Sequence, residues 1–131
     1  MAYKILIVDD NTLIRSAVRH LIEQNPDWQF CGEAENGKVA VERVRELAPD
    51  VVILDLAMPV MNGIEAAQKI RRIAPNTGLV MFTLHANPAL LKYAGSIGVH
   101  QLVSKAEGSL EHLSMAIQSV VHHSPEIDSE D

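Results

Sequence analysis

The chain has 131 residues, a net charge of −6 and a single cysteine, Cys31. That length suits one domain with a two- or three-layer core, and 47% hydrophobic with only 4% aromatic residues excludes disorder and implies an aliphatic core. The acidic balance argues against direct binding to nucleic acid or an anionic membrane. A lone cysteine permits no internal disulfide and fits a reducing cytoplasm.

Lys4 to Val8 is an apolar run ending at Asp9-Asp10, and it reads as a strand, not a signal peptide. Asn11 or Thr12 caps a helix whose apolar set Leu13, Ile14, Ala17, Val18, Leu21 and Ile22 has a 3.6-residue period, and Asn25-Pro26 stops it. Trp28 to Glu33 reads as a more polar edge strand. Asn36-Gly37 opens a helix with Ala40, Val41, Val44, Leu47 and Ala48 inward, closed by Pro49. Val51 to Leu56 is apolar except for Asp55, as in a strand buried on both faces of a parallel sheet. Pro59 and Asn62-Gly63 mark a loop, after which a helix from Gly63 to Ile73 buries Ile64, Ala67, Ile70 and Ile73.

Leu79 to Phe82 forms the next strand, ending at Thr83. Asn87-Pro88 caps a short helix with Leu90, Leu91, Tyr93 and Ala94, which dissolves between Gly95 and Gly98. Val99 to Val103 precedes Ser104-Lys105, and Ser109 caps a last helix with Leu110, Leu113, Ile117, Val120 and Val121 on one stripe. Residues 1–123 therefore form one domain, and 124–131 read as a disordered polar tail. Strict alternation of strands and helices implies a parallel sheet with right-handed crossovers, and five of each suit the three-layer flavodoxin-like order 2-1-3-4-5.

That order collects Asp9, Asp10, Asp55, Thr83 and Lys105 at one sheet edge, where open α/β sheets carry their sites. Three carboxylates in one cleft raise each other's pKa unless a cation is present, and oxygen-only ligands with few protein donors favour Mg²⁺. The histidines suggest no metal site: His122-His123 cannot share a helix face, and His20 and His112 fall on helix surfaces. Cys31 reads as a buried small hydrophobe.

Asp9-Asp10, Asp55 with Met58-Pro59 and Asn62-Gly63, Thr83 and Lys105 resemble, in order and spacing, the receiver domain of two-component response regulators over residues 3 to 121. Thr83-Leu84-His85 is similar to receivers of regulators with LuxR-type helix-turn-helix output domains. The resemblance implies a non-enzymatic cytoplasmic domain that accepts a phosphoryl group on Asp55 from a sensor histidine kinase. It implies Mg²⁺ held by Asp10, Asp55 and the Ala57 carbonyl, with Asp9 acting through water. Lys105, the Thr83 hydroxyl and the amides of Ala57 and Leu84 would bind phosphoryl oxygens. Leu102 stands at the switch position usually held by an aromatic, and Ala106 stands where many relatives have proline. These departures imply a switch carried by the Pro88–Ala94 helix, with dimerisation or partner binding through that helix, the last strand and the last helix. Ala57 and His85, at positions that tune water access, imply a phosphoryl group that persists for minutes.

Rival readings fit less well. A flavodoxin would need a Gly/Ser/Thr-rich loop where Asp9-Asp10 stands, and a haloacid-dehalogenase-like phosphatase would need an acid where Ala57 stands. A receiver-fold interaction module that works without phosphorylation is the remaining alternative. A stand-alone receiver and the receiver part of a longer transcription regulator are both compatible with these residues.

Overall fold

The computed structural model describes residues 2–106 and 108–122, His122 by its backbone alone. Ten elements alternate: β1 (Tyr3–Val8), α1 (Thr12–Glu23), β2 (Trp28–Ala34), α2 (Gly37–Leu47), β3 (Val51–Leu54), α3 (Gly63–Ile73), β4 (Gly78–Thr83), α4 (Pro88–Ser96), β5 (Gln101–Ser104) and α5 (Ser109–His122). The strands are parallel in the order β2-β1-β3-β4-β5, the expected flavodoxin-like arrangement. The expected polar tail, 124–131, lies outside the described residues.

Period-two alternation sorts the three central strands between two cores. Leu6, Val8, Val52, Leu54, Leu79 and Met81 face α2, α3 and α4. Ile5, Ile7, Val51, Ile53, Val80 and Phe82 face α1 and α5. A strand apolar at every position thus serves a three-layer sandwich, with neither face left to water.

Four of the helices start on asparagine. Asn11, Asn36, Asn62 and Asn87 each accept a backbone N–H of the first turn through the side chain, satisfying donors that the helix itself cannot. The choice between Asn11 and Thr12 thus falls to Asn11. Pro88 follows Asn87 at the first helical turn, where its missing N–H costs nothing.

Several expectations need correction. Leu13 is 80% exposed and Ile73 and Leu110 are each 38% exposed, and all three sit in the terminal turns of their helices. Ala17 is also exposed. Ala48 is an exposed left-handed cap (φ 46°) instead of an inward helical residue. β3 ends at Leu54, β5 starts only at Gln101, and α5 begins at Ser109 itself. The helix α4 runs through Gly95 to Ser96, since Ala94 is buried against the sheet and no Cβ contact is lost at Gly95. Cys31 is only half-buried: it is the extra residue where the β1–β2 register slips between Ile5 and Leu6. Partial burial pushes its thiol pKa up, which disfavours the reactive thiolate.

The edge of the sheet opposite the acidic residues is closed by side chains. The backbone N–H of His100 donates to the Leu79 carbonyl (2.8 Å), and its side-chain Nδ1 accepts the Leu79 N–H (3.0 Å). Arg71, in the last turn of α3, donates to the carbonyls of Pro75 and Gly98. Gly98 has φ +93°, which favours glycine, and the guanidinium of Arg71 packs where a Cβ would stand, so a side chain there would displace Arg71.

Desolvation of the ring, aided by Arg71, pushes the His100 pKa below its ordinary 6.5. Protonation also removes the acceptor that Leu79 uses, so the unfolded chain takes up the proton more readily than the folded one. The stability this contact contributes is therefore present above about pH 6.5 and is lost as pH falls below it. The residue is exposed overall, so the effect is modest. His100→Asn, which keeps an acceptor but cannot titrate, should show a smaller drop in urea midpoint between pH 7 and pH 5 than the parent. Equal drops would show that His100 does not couple to folding.

Candidate functional site

The backbone ladders run one residue past the strands and fix the site. Asp9 N–H donates to Ala34 O (3.0 Å), Asp55 N–H to Val8 O (3.0 Å), and Lys105 N–H to Thr83 O (3.0 Å). Asp9, Asp55 and Lys105 therefore emerge in register at the carboxyl edge. Adjacent residues of an extended chain point oppositely, so Asp9 is buried while Asp10 is exposed.

One carboxylate oxygen from each of Asp9, Asp10 and Asp55 lies within 4.8 Å of the others. Lys105 Nζ stands 2.5 Å from Asp9 Oδ2 and 3.3 Å from Asp55 Oδ2. Asp9 Oδ1 accepts the Asn11 N–H (2.9 Å), and Asp55 Oδ1 accepts the Leu56 N–H (2.8 Å). Three carboxylates against one ammonium leave two negative charges uncompensated. Burial pushes the Asp55 pKa up; Lys105 pulls it down, and repulsion from Asp9 adds to the rise. A hard divalent cation fits this donor set and its charge deficit.

Thr83 ends the neighbouring strand fully buried, its Oγ1 accepting the His85 N–H (3.2 Å). The hydroxyl hydrogen remains available to donate. Among the described residues, no protein acceptor takes the amides of Ala57 or Leu84. Leu102 does not join the pocket. It lies on β5 three residues before Lys105, half-buried against the core beneath α2, α3 and α4.

Three contributions were invisible in the spacing of polar residues. Arg15 Nη1 donates to Asp9 O (2.7 Å) while its Nε pairs with Glu33 (2.7 Å), which braces the loop after β1. The loop after Asp55 turns on Val60, whose φ is +68° with Met61 N–H donating to Pro59 O at 2.7 Å. That is a γ-turn, strained for a β-branched residue. Gly63, read from sequence as a breaker, is needed for close approach: a Cβ there would lie 2.1 Å from Asp55 O, and its N–H donates to Leu56 O (2.8 Å).

A doubly wound sheet with an acidic carboxyl edge and an opposing lysine defines an aspartate-pocket α/β domain. Residues 5–118 match the family model of the response regulator receiver domain, and the chain belongs to that family, whose members act in two-component signalling. It is 35% identical over 127 residues to the transcriptional regulatory protein YdfI of Bacillus subtilis, covering 95% of this chain and 59% of that protein. It is 48% identical over 83 residues to a protein-glutamate methylesterase/protein-glutamine glutaminase of Pseudoalteromonas atlantica, covering 63% of this chain and 22% of the relative. The chain thus spans only part of both. The crystal structure of a LuxR-family two-component response regulator from Aurantimonas superposes with a TM-score of 0.87 at 31% identity, covering 99% of this chain and 95% of that one. No helix among the described residues is long and apolar enough to cross a membrane.

A carboxylate with a raised folded pKa binds its proton more readily in the native state. Stability therefore falls as pH rises above the ordinary value of 3.8 and stays reduced at neutrality. Asp55→Asn removes that charge and keeps the acceptor for Leu56. At pH 7 without divalent cation it should melt at a higher temperature than the parent, with the gap closing as pH approaches 4. Millimolar Mg²⁺ should raise the parent's midpoint and leave the variant's nearly unmoved. A variant less stable than the parent at pH 7 would contradict the charge assignment.

Proposed function

We propose that the chain is a phosphorylation-dependent receiver module, residues 1–123, acting in the cytoplasm, and that Asp55 is its phosphoryl acceptor. The observation that carries this reading is the geometry at Asp55: a buried carboxylate 3.3 Å from the Lys105 ammonium, with the carboxylate oxygens of Asp9 and Asp10 within 4.8 Å. The donor is a phosphohistidine of a sensor kinase. An Asp55 oxygen attacks phosphorus, the P–N bond breaks, and its electron pair stays on the imidazole nitrogen, which takes a proton. Lys105 then pairs with a phosphoryl oxygen, Thr83 donates its hydroxyl hydrogen to another, and the amides of Ala57 and Leu84 complete the cradle. Asp10, Asp55 and the Ala57 carbonyl would hold Mg²⁺, with Asp9 acting through water; the ion supplies charge neutralisation for the transferred group.

Leu13, Val60 and Leu84 are 80%, 77% and 73% exposed, and they belong to three separate segments around the pocket. Such an apolar rim supports docking of a kinase's helical phosphodonor domain. The output runs through α4, β5 and α5, by dimerisation or binding of a partner, with Leu102 as the packing position that responds to Thr83. Full-length relatives such as YdfI support the receiver part of a transcription regulator. In that case contact with DNA belongs to a domain other than this one.

Incubation with acetyl phosphate and Mg²⁺ should add one hydroxylamine-labile phosphoryl group by intact mass. Asp55→Asn should stay unmodified, and its labelling to the parent's extent would overturn the assignment. The phosphorylated form should persist for minutes, because Ala57 has no polar group to hold a hydrolytic water; a half-life of seconds without a phosphatase would refute that. Beryllofluoride, a phosphoryl mimic, should change amide hydrogen exchange over residues 84–106. Unchanged exchange there with Asp55 occupied would favour an interaction module without a phosphorylation switch.

A further inference from the structure

The cations of this acidic protein are unevenly placed. Of its eleven lysines and arginines, four form ion pairs: Arg15, Arg19, Arg43 and Lys105. Lys4 and Arg71 give their charged groups to backbone carbonyls. Five remain without an anionic partner among the described residues: Lys38, Arg45, Lys69, Arg72 and Lys92. All but Lys92 line one groove of about 440 Å³ between α2 and α3.

The sequence places them there by helical spacing. Lys38, Glu42 and Arg45 follow each other along one stripe of α2, and Lys69 and Arg72 do so on α3. Between the two rows, Val41, Met61 and Ile73 form an apolar floor. Glu42 is the single acid among the lining residues, and it forms no ion pair with its helical neighbours. Four cations against the one carboxylate of Glu42 leave like-charge repulsion within the groove only partly compensated, on a chain of net charge −6.

We propose that this groove is a docking site for an acidic segment of a partner polypeptide, one that alternates carboxylates with aliphatic side chains. Carboxylates would meet the two cationic rows, and the aliphatic groups would cover the floor. Charge complementarity carries the choice of occupant. Nucleic acid fits less well, because the groove offers no aromatic side chain for stacking and a longer polyanion would run onto the acidic remainder of the surface. Bare phosphate would leave the floor uncovered. The groove is lined by α2, α3 and Met61, with no residue of α4, β5 or α5, so this proposal stands apart from the phosphorylation reading.

The test is calorimetric titration of the full chain with a short acetylated, amidated peptide in which leucine alternates with pairs of glutamate. ¹⁵N-resolved shifts should move in α2 and α3 and not in α5. Arg45→Glu combined with Arg72→Glu should weaken binding by at least about tenfold, and Glu42→Gln should tighten it about twofold. Replacing leucine by glycine in the probe should weaken binding several-fold, and raised salt should weaken it further. Asp55→Asn should bind as the parent does, which separates this site from the phospho-acceptor. The substituted residues are exposed, and an unchanged melting profile would show the fold retained. The idea fails if the double variant binds as tightly as the parent. It fails equally if a lysine-for-glutamate peptide competes, if the shifts map to α5, or if a short DNA duplex or inorganic phosphate binds as well as the peptide.

Discussion

Asp55 carries a negative charge that its own burial opposes, and most of the carboxyl edge can be understood as the means of holding it there. Lys105 offsets part of the penalty, but it is shared with Asp9, to which it lies closer. The remaining imbalance does not relax by rotation of the carboxylates. The main chain at Asp9 and Asp55 is tied to the neighbouring strand, and each buried carboxylate is held through Oδ1, which accepts the Asn11 N–H at Asp9 and the Leu56 N–H at Asp55. Fixed backbone amides thus keep like charges together that free side chains would separate. This is electrostatic preorganisation: the cost is met when the chain folds, and an incoming cation or electrophile finds the site already arranged.

The loop after β3 extends the same logic to the backbone. Its path is set by the contact of Gly63 with the Asp55 carbonyl and by the Gly37 N–H, which donates to Met61 O at 3.0 Å. Between these fixed points the chain must reverse within a few residues, and the strained conformation falls on Val60. Over-determination from both sides explains how a β-branched residue is kept in left-handed space.

The sheet was legible because the unbroken apolar runs Ile5–Val8, Val51–Leu54 and Leu79–Phe82 are what burial on both faces requires. The pocket was legible because polar residues at apolar strand ends have few structural reasons to be there. What escaped was of another kind. Leu13, Ile73 and Leu110 kept the helical period but lie in terminal turns, and periodicity carries no information about how far along a helix its packing extends. Cys31 looked like core because a bulge leaves no local signature in composition. Arg71 and His100 act on a carbonyl and an amide far away in sequence, and Arg15 joins Asp9 O to the distant Glu33 carboxylate; such contacts follow from the tertiary fold alone. The roles of individual pocket residues rest on the resemblance, since spacing by itself could not separate Asp9 from Asp10.

The bonds of Arg71 and His100 at the amino edge also bear on how α4 is mounted. Its carboxyl end runs into Gly98, which α3 grips through Arg71, and then into the bonds between His100 and Leu79. Its amino end follows Thr83 through Leu84 to Asn87, a segment held mainly by its own local bonds. A helix so held would act as a lever with its fulcrum near Gly98. Displacement of the Thr83 side would swing the first turn through the widest arc and leave the last turn nearly still. Leu91 and Tyr93, both exposed on that helix, would then move by unequal amounts, so a surface that touches both would sense a rotation instead of a shift.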